Sequence, residues 1–251
     1  MFEVRNLRVR YKDSPSEAVS DVSFALFRGS FSALVGESGS GKSTIISASL
    51  GLLPQGSSIY GEILWRGENL AAMEDSVIRS HRWKELALVP QGALNSFTPV
   101  LTIGRHIAEV LDIHLGIKKA AAAAKISSLL EEVGLPKDLA GRYPHELSGG
   151  QKQRAAIALA LACSPTMLFA DEPTTALDVV TQAGILKLLA RLRQEKGLTI
   201  LLVTHDLPMA ASVCDNLLVM KDGQLVESGT PKQIIESPRR SYTASLVKAM
   251  L

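Results

Sequence analysis

At 251 residues the chain has room for one large domain or two small ones, and enough length to bury a substantial core. Hydrophobic residues make up 46 % and charged residues 21 %, the balance of an ordinary globular protein. The net charge of +2 is spread over short groups such as QKQR and SPRR, which excludes an electrostatic nucleic-acid face, and the two cysteines, Cys163 and Cys214, lack ligand-like spacing, which excludes a readable zinc or iron–sulfur site and points to a reducing compartment.

Taken in chain order, the N-terminal MFEVRNLRVRYKD has no apolar signal core. Residues 2–11, 18–27 and 30–35 read as short strands, with turns at Lys12–Glu17 and at Arg28-Gly29. Residues 59–66, IYGEILWR, read as a further strand pair, so the N-terminal part is expected to form an antiparallel β layer. From about 95 to 165 the pattern is helical. Within KKAAAAAKISSLLEEVG, Ile126, Leu129, Leu130 and Val133 fall on one helical face, and Gly134 is a natural stop just past the end. From 166 onward apolar strands alternate with helices: TMLFAD, a helix over 179–195, TILLVTH, a helix near 207–214, then a hairpin turning at Asp222-Gly223. Strands without internal alternation predict a parallel sheet covered on both faces. The longest apolar runs, IALALAC and ILLV, fall far short of the ~18 residues of a membrane span, which predicts a soluble protein able to sit on a membrane partner.

The chemistry starts at residues 36–43, GESGSGKS, a G-x-x-x-x-G-K-[ST] phosphate loop between a strand and a helix. Gly39 and Gly41 remove side chains that would block an anion, so backbone N–H groups can turn inward around a triphosphate. Lys42 is placed for the β- and γ-phosphates and Ser43 for Mg²⁺. Asp171 closes an apolar strand and suits the acidic partner of such a loop, orienting Mg²⁺. Glu172, next to it, can act as general base on an attacking water, and Pro173 stops the strand. Alone, an acidic turn after a strand is the plainer reading; the upstream phosphate loop favours the catalytic one. His205 closes TILLVTH at an equivalent strand end, where an imidazole can hydrogen-bond the transferring group. Gln91 follows another apolar strand; its amide suits a Mg²⁺ ligand or a water-orienting group, and spacing does not choose. Tyr11 ends an early strand, where stacking on adenine and a plain surface role are both open.

A second phosphate-binding shape lies at HELSGGQKQR. Ser148 can N-cap a helix, Gln151 can complete a capping box, and Gly149 and Gly150 leave the helix N-terminus open to an anion. This half-site has no lysine at its glycines and no metal carboxylate. It becomes useful if it closes over a nucleotide held by another chain. Two chains placed head to tail would then make two complete sites under two-fold symmetry.

GESGSGKST, Gln91, LSGGQKQR, MLFADEP, ALD at 176–178 and His205 stand in the order of the ATP-binding-cassette (ABC) ATPase family, and the resemblance covers nearly the whole chain. It implies an α/β fold: a P-loop NTPase (RecA-like) core with an antiparallel β subdomain and an inserted α-helical subdomain. The whole of residues 1–251 is then one ABC ATPase domain, with core and β layer over about 1–92 and 166–251 and the helical subdomain over about 93–165. The resemblance implies an ATP site formed by Tyr11 as the A-loop aromatic and by Gly36, Glu37, Ser38, Gly39, Ser40, Gly41, Lys42, Ser43 and Thr44. It implies Mg²⁺ held by Ser43, Gln91 and Asp171, and catalysis by Glu172, the switch histidine His205 and the Q-loop residue Gln91. Ser148, Gly149, Gly150 and Gln151 would touch a nucleotide in trans, with Asp178 at the dimer interface.

The finer resemblance is to the peptide and nickel importer branch. It rests on VPQGALNSFTPVLTIGRHI with Asn95 and Pro99, on ADEPTTALDVVTQAGIL, on VTHDLPMAASVCDNLLVM and on the RRSYTASLV tail. Longer members of that branch carry a cysteine-bearing extension with an iron–sulfur cluster. This chain ends at Leu251 without those cysteines and so resembles the short, nickel-type members or a shortened chain. The expected partners are a second ABC ATPase (a homodimer or a heterodimer), two integral membrane permeases and an extracytoplasmic solute-binding protein, with no nucleic acid. Residues 92–104 would receive the permease, at the cytoplasmic face of the bacterial membrane. The substrate would be a peptide, or nickel or another chelated metal. The alternative is a non-transport ABC ATPase, a translation or DNA-repair factor.

Overall fold

A computed structural model describes residues 1–92 and 96–249. Asn95 lies outside the described residues. The chain divides into two compact units, residues 1–80 with 193–251 and residues 81–192.

The first unit contains two sheets. In one, β1 (Phe2–Arg10) lies between β2 (Val19–Leu26) and β4 (Ser58–Trp65), and β5 (Glu68–Asn69) completes the order β2-β1-β4-β5. All its pairings are antiparallel, and the alternation is that of a sheet with one packed face: Phe2, Val4, Leu7 and Val9 of β1 are buried, with Val19, Val22, Phe24 and Leu26 of β2. Residues 59–65 belong to the single strand β4 rather than to a strand pair, and Arg66 lies in the turn that follows. Gly61, within β4, has φ +89° and lies where β1 shifts register around Asn6, itself at φ +46°. A Cβ on Gly61 would stand 2.4 Å from the Asn6 carbonyl and 2.5 Å from that of Arg5. Close backbone approach at a bulge explains the glycine. The turn after β4 comes at Arg66-Gly67, both at positive φ.

The other strands of this unit run in the order β10-β9-β3-β8, with β3 (Phe31–Val35), β8 (Thr199–Thr204), β9 (Asn216–Lys221) and β10 (Gln224–Gly229). β3 is parallel to both β8 and β9, and β3 and β8 are buried at every residue. β9 and β10 form the expected hairpin; Asp222 at φ +48° and Gly223 at φ +77° are the two positive-φ centres of such a turn. The helices here are α1 (Lys42–Ser49), α2 (Asp75–His81), α7 (Leu207–Ala211), α8 (Pro231–Glu236) and α9 (Ser241–Lys248). The helix anticipated near 207–214 is shorter, capped by the Asp206 side chain at Met209 N–H and ending at Ala211.

In the second unit β6 (Leu86–Val89) and β7 (Met167–Asp171) pair in parallel, with Val89 opposite Ala170. Around them lie α3 (Ile103–Leu115), α4 (Lys119–Glu132), α5 (Gly149–Ala160) and the start of α6 (Val179–Lys196). Ile103, Ile107 and Leu111 bury one face of α3. Ile126, Leu129, Leu130 and Val133 are all buried, and Gly134 stops α4 at φ +73° while Leu135 N–H returns to the Leu130 carbonyl. The two cysteines, one in each unit, are both buried, and burial raises both thiol pKa values. No helix among the described residues is long and apolar enough to cross a membrane.

Candidate nucleotide and catalytic sites

In the first unit, Gly36 to Gly41 link the buried end of β3 to the N-terminus of α1. Two glycines are required by space. A Cβ on Gly36 would lie 2.2 Å from the Met220 carbonyl, and one on Gly41, at φ +94°, would lie 2.3 Å from the Ala18 carbonyl. Gly41 stands at the N-cap of α1 and supplies no side-chain cap. α3, α5, α7 and α8 are instead capped by Thr102, Ser148, Asp206 and Thr230. The N-terminus of α1 therefore presents N–H groups and the positive end of its dipole without a competing side-chain oxygen, which suits a phosphate.

The Lys42 side chain is buried and curls back along the loop. Its Nζ donates to the carbonyls of Gly36 at 2.8 Å and Glu37 at 2.7 Å and to the Ser40 hydroxyl at 3.2 Å. The cation is thus held at the loop's centre. Ser43 is exposed on the first turn of α1, while Thr44 beside it is buried and its hydroxyl lies 3.0 Å from that of Tyr11. Tyr11 follows directly on β1 and is tied to the helix that carries the loop. Val35 pairs with Thr204, so the next residues, Gly36 and exposed His205, leave the sheet at the same edge.

In the second unit β7 ends on Asp171, 8 % exposed. Glu172 follows at φ +44°, a conformation that costs a non-glycine residue ~1–3 kcal/mol and tends to mark functional sites. Its Oε2 accepts the Gln91 amide at 3.2 Å and the Thr175 hydroxyl at 2.8 Å. Gln91 and Glu172 each lie two residues beyond Val89 and Ala170, the last pair of the β6–β7 register. The carboxylate is oriented but only half-buried, as a base that meets water must be. Thr175 was not among the residues singled out from sequence; its ADEPTT context held no separate signal for it.

Ser148 begins α5 as expected. Its hydroxyl accepts the Gln151 N–H at 3.3 Å and the Gln151 side chain accepts the Ser148 N–H at 2.9 Å, a closed capping box. The glycines after it have a packing reason as well. A Cβ on Gly149 would meet Leu177 Cδ2 at 3.2 Å, and one on Gly150 would meet Thr181 Cγ2 at 2.7 Å. Thr181 is in turn held by Asp178, whose carboxylate accepts its N–H at 2.9 Å and its hydroxyl at 2.6 Å. Gly150, Thr181 and Asp178 therefore form one packed group. The Thr181 hydroxyl and then its N–H hold the Asp178 carboxyl below its ordinary pKa.

A divalent cation such as Mg²⁺ prefers hard oxygens; Ser43 offers one in the first unit, Gln91 and Asp171 offer them in the second, and among the described residues no cluster of three or more His, Cys, Asp or Glu side chains forms a metal cage. Mg²⁺ is commonly held in that way, by few protein oxygens with the remaining positions left to phosphate and water.

Against known proteins, the chain matches the family description "ABC transporter" over residues 19–175. It is 40 % identical, over its whole length and 79 % of the relative's, to the oligopeptide transport ATP-binding protein OppD of Haemophilus influenzae. It is 41 % identical to the OppD of Bacillus subtilis, over the whole chain and 72 % of that protein. Among solved structures, a dimeric post-hydrolysis state of the ATP-binding cassette MJ0796 with ADP and Pi superposes with TM-score 0.81 at 29 % identity, covering 92 % of this chain and 99 % of that one.

Proposed function

Because the chain belongs to the ABC transporter family, we propose that it is the ATP-hydrolysing subunit of a membrane importer whose cargo is peptide. The observation that carries the cargo class is the identity, over the whole chain, with proteins named for oligopeptide transport. Both compact units are read as parts of one cassette: a RecA-like core with its β layer, and a helical subdomain.

In this reading Tyr11 meets the adenine, and residues 36–44 hold the phosphates through backbone N–H groups and Lys42. Ser43, Gln91 and Asp171 hold Mg²⁺, which when bound neutralises charge on the phosphate oxygens. Glu172 takes a proton from water as the water oxygen bonds to the γ-phosphorus and the bond to the β–γ bridging oxygen breaks. The products are ADP and phosphate. Gln91 and Thr175 keep the Glu172 carboxylate aimed, and their bonds to it support that role. His205 donates a hydrogen bond to the departing phosphoryl group. Ser148, Gly149, Gly150 and Gln151 close over the nucleotide of a second cassette, identical or related, with Asp178 at the interface. The dimeric state of a structural relative supports that arrangement. Two membrane permeases and an external solute-binding protein complete the system, with the cassettes at the cytoplasmic face, where ATP is available.

The test is reconstitution in liposomes with a permease pair and binding protein of the same system. ATP-dependent uptake of labelled peptide, with peptide-stimulated phosphate release, is expected. Phosphate release that responds to ribosomes or DNA, and not to the permeases, would favour the alternative of a translation or repair factor.

A further inference from the structure

We propose that Tyr242, in α9, is a positioning residue for the phosphate loop: its hydroxyl takes the Glu37 N–H and fixes the loop's entry, so that the N–H groups further along stay turned toward phosphate. The proposal rests on the nucleotide-binding reading above.

A glycine-rich loop is entropically costly to hold in one shape, and each N–H that does not face the ligand needs another partner. Within the first unit the loop's other side is braced at several points. The Met220 carbonyl packs against Gly36, leaving no room for a side chain there. Gly223 N–H donates to the Ser40 carbonyl at 3.2 Å. Glu37 N–H donates to the Tyr242 hydroxyl at 3.4 Å, across 205 positions of sequence. The same Glu37 offers its carbonyl to Lys42 Nζ at 2.7 Å. Tyr242 therefore acts one peptide away from the phosphate-binding lysine.

The tyrosine is itself held. Lys221 Nζ stands 4.9 Å from the centre of its ring. The Glu227 carboxylate of β10 accepts the Arg239 N–H at 2.8 Å and the Arg240 N–H at 3.2 Å, pinning the start of α9, and Thr243 is wholly buried. Burial pushes the phenol above its usual pKa; the Glu37 N–H offsets part of this, and the Glu37 and Asp222 carboxylates add to it. The hydroxyl thus stays neutral at working pH. A line of contacts runs from Glu227 through α9 to Glu37.

Tyr242→Phe keeps the ring under Lys221 and removes only the hydroxyl. Two readouts are needed: the Kd of a non-hydrolysable ATP analogue, and the steady-state kcat and KM for ATP. The expected result is a Kd and KM raised roughly fivefold, the worth of about one net hydrogen bond, with kcat unchanged because Tyr242 touches no reacting atom. Lys221→Met, which frees the ring but leaves the hydroxyl, should raise both by a smaller factor. A Phe variant that binds the analogue like the wild type, or that loses kcat at constant Kd, overturns the positioning role. A wild-type chain that binds no analogue overturns the nucleotide reading and this proposal with it.

Discussion

Replacing Glu172 by glutamine separates chemistry from structure unusually well, because the hydrogen bonds that Gln91 and Thr175 donate to it converge on one oxygen. Gln91 Nε2 and Thr175 Oγ1 both point at Oε2. A glutamine that places its carbonyl oxygen there keeps both bonds, and the amide nitrogen replaces Oε1. Folding stability should therefore change by less than ~0.5 kcal/mol. The backbone strain at φ +44° is also kept, since glutamine has the same Cβ. What is lost is an acceptor basic enough to take a proton from water. A positioned general base contributes roughly 10²–10⁴-fold, about 2.7–5.4 kcal/mol in the barrier. Phosphate release by Glu172→Gln should fall by at least about a hundredfold, while the analogue Kd stays within roughly twofold of wild type. Sizing with ATP should reveal a long-lived dimer. Release within about tenfold of the wild-type rate would sink the base assignment, because the predicted barrier change could not then be present.

Three other outcomes follow from the geometry. Gly61→Ala places a methyl 2.4 Å from the Asn6 carbonyl at φ +89°, and should cost roughly 3 kcal/mol in urea unfolding while leaving ATP affinity alone. Ser148→Ala opens the capping box and should cost about 1 kcal/mol of stability. In the Glu172→Gln background the same change should weaken the ATP-dependent dimer, and a dimer of unchanged affinity would remove Ser148 from the trans contact. For Asp178, the folded carboxyl titrates below its ordinary 3.8. Its capping bonds to Thr181 thus stabilise fully above the ordinary aspartate range and are lost as pH falls through the lowered midpoint. A carbon-detected NMR titration should place that midpoint below the unfolded value, and Thr181→Val should return it upward.

Where local grammar decides structure, the chain could be read directly. The phosphate loop is announced by an apolar strand before it and a helix after it, and α5 by Ser148 and Gln151 three residues apart. The face of α4 follows from the spacing of Ile126, Leu129, Leu130 and Val133, which packing then uses. The stretch IYGEILWR, expected as a strand pair and found as one strand, shows how the same grammar misleads. A glycine in a strand is equally a break or a close approach, and only the partner strand, folding back from Asn6, decides between them. The contacts that aim functional groups were harder to see. Thr175 reaches Glu172 through a turn whose shape no periodicity encodes. Tyr242 meets Glu37 only because β9, β10 and α9 carry the chain back to the loop. Gly149 and Gly150 were read as an open anion site, and their close packing on Leu177 and Thr181 depends on how α6 begins.

Both native thiols are buried, and that has a practical use. Cys163 and Cys214 are 7 % and 6 % exposed, and desolvation disfavours the reactive thiolate in each. Maleimide reagents should therefore pass over them in the folded chain, so spin labels or dyes can be attached at introduced cysteines without first stripping the background. Val180, 82 % exposed and two residues beyond Asp178, is a natural attachment point. Distances between probes there on paired cassettes would track opening and closing through each round of fuel consumption.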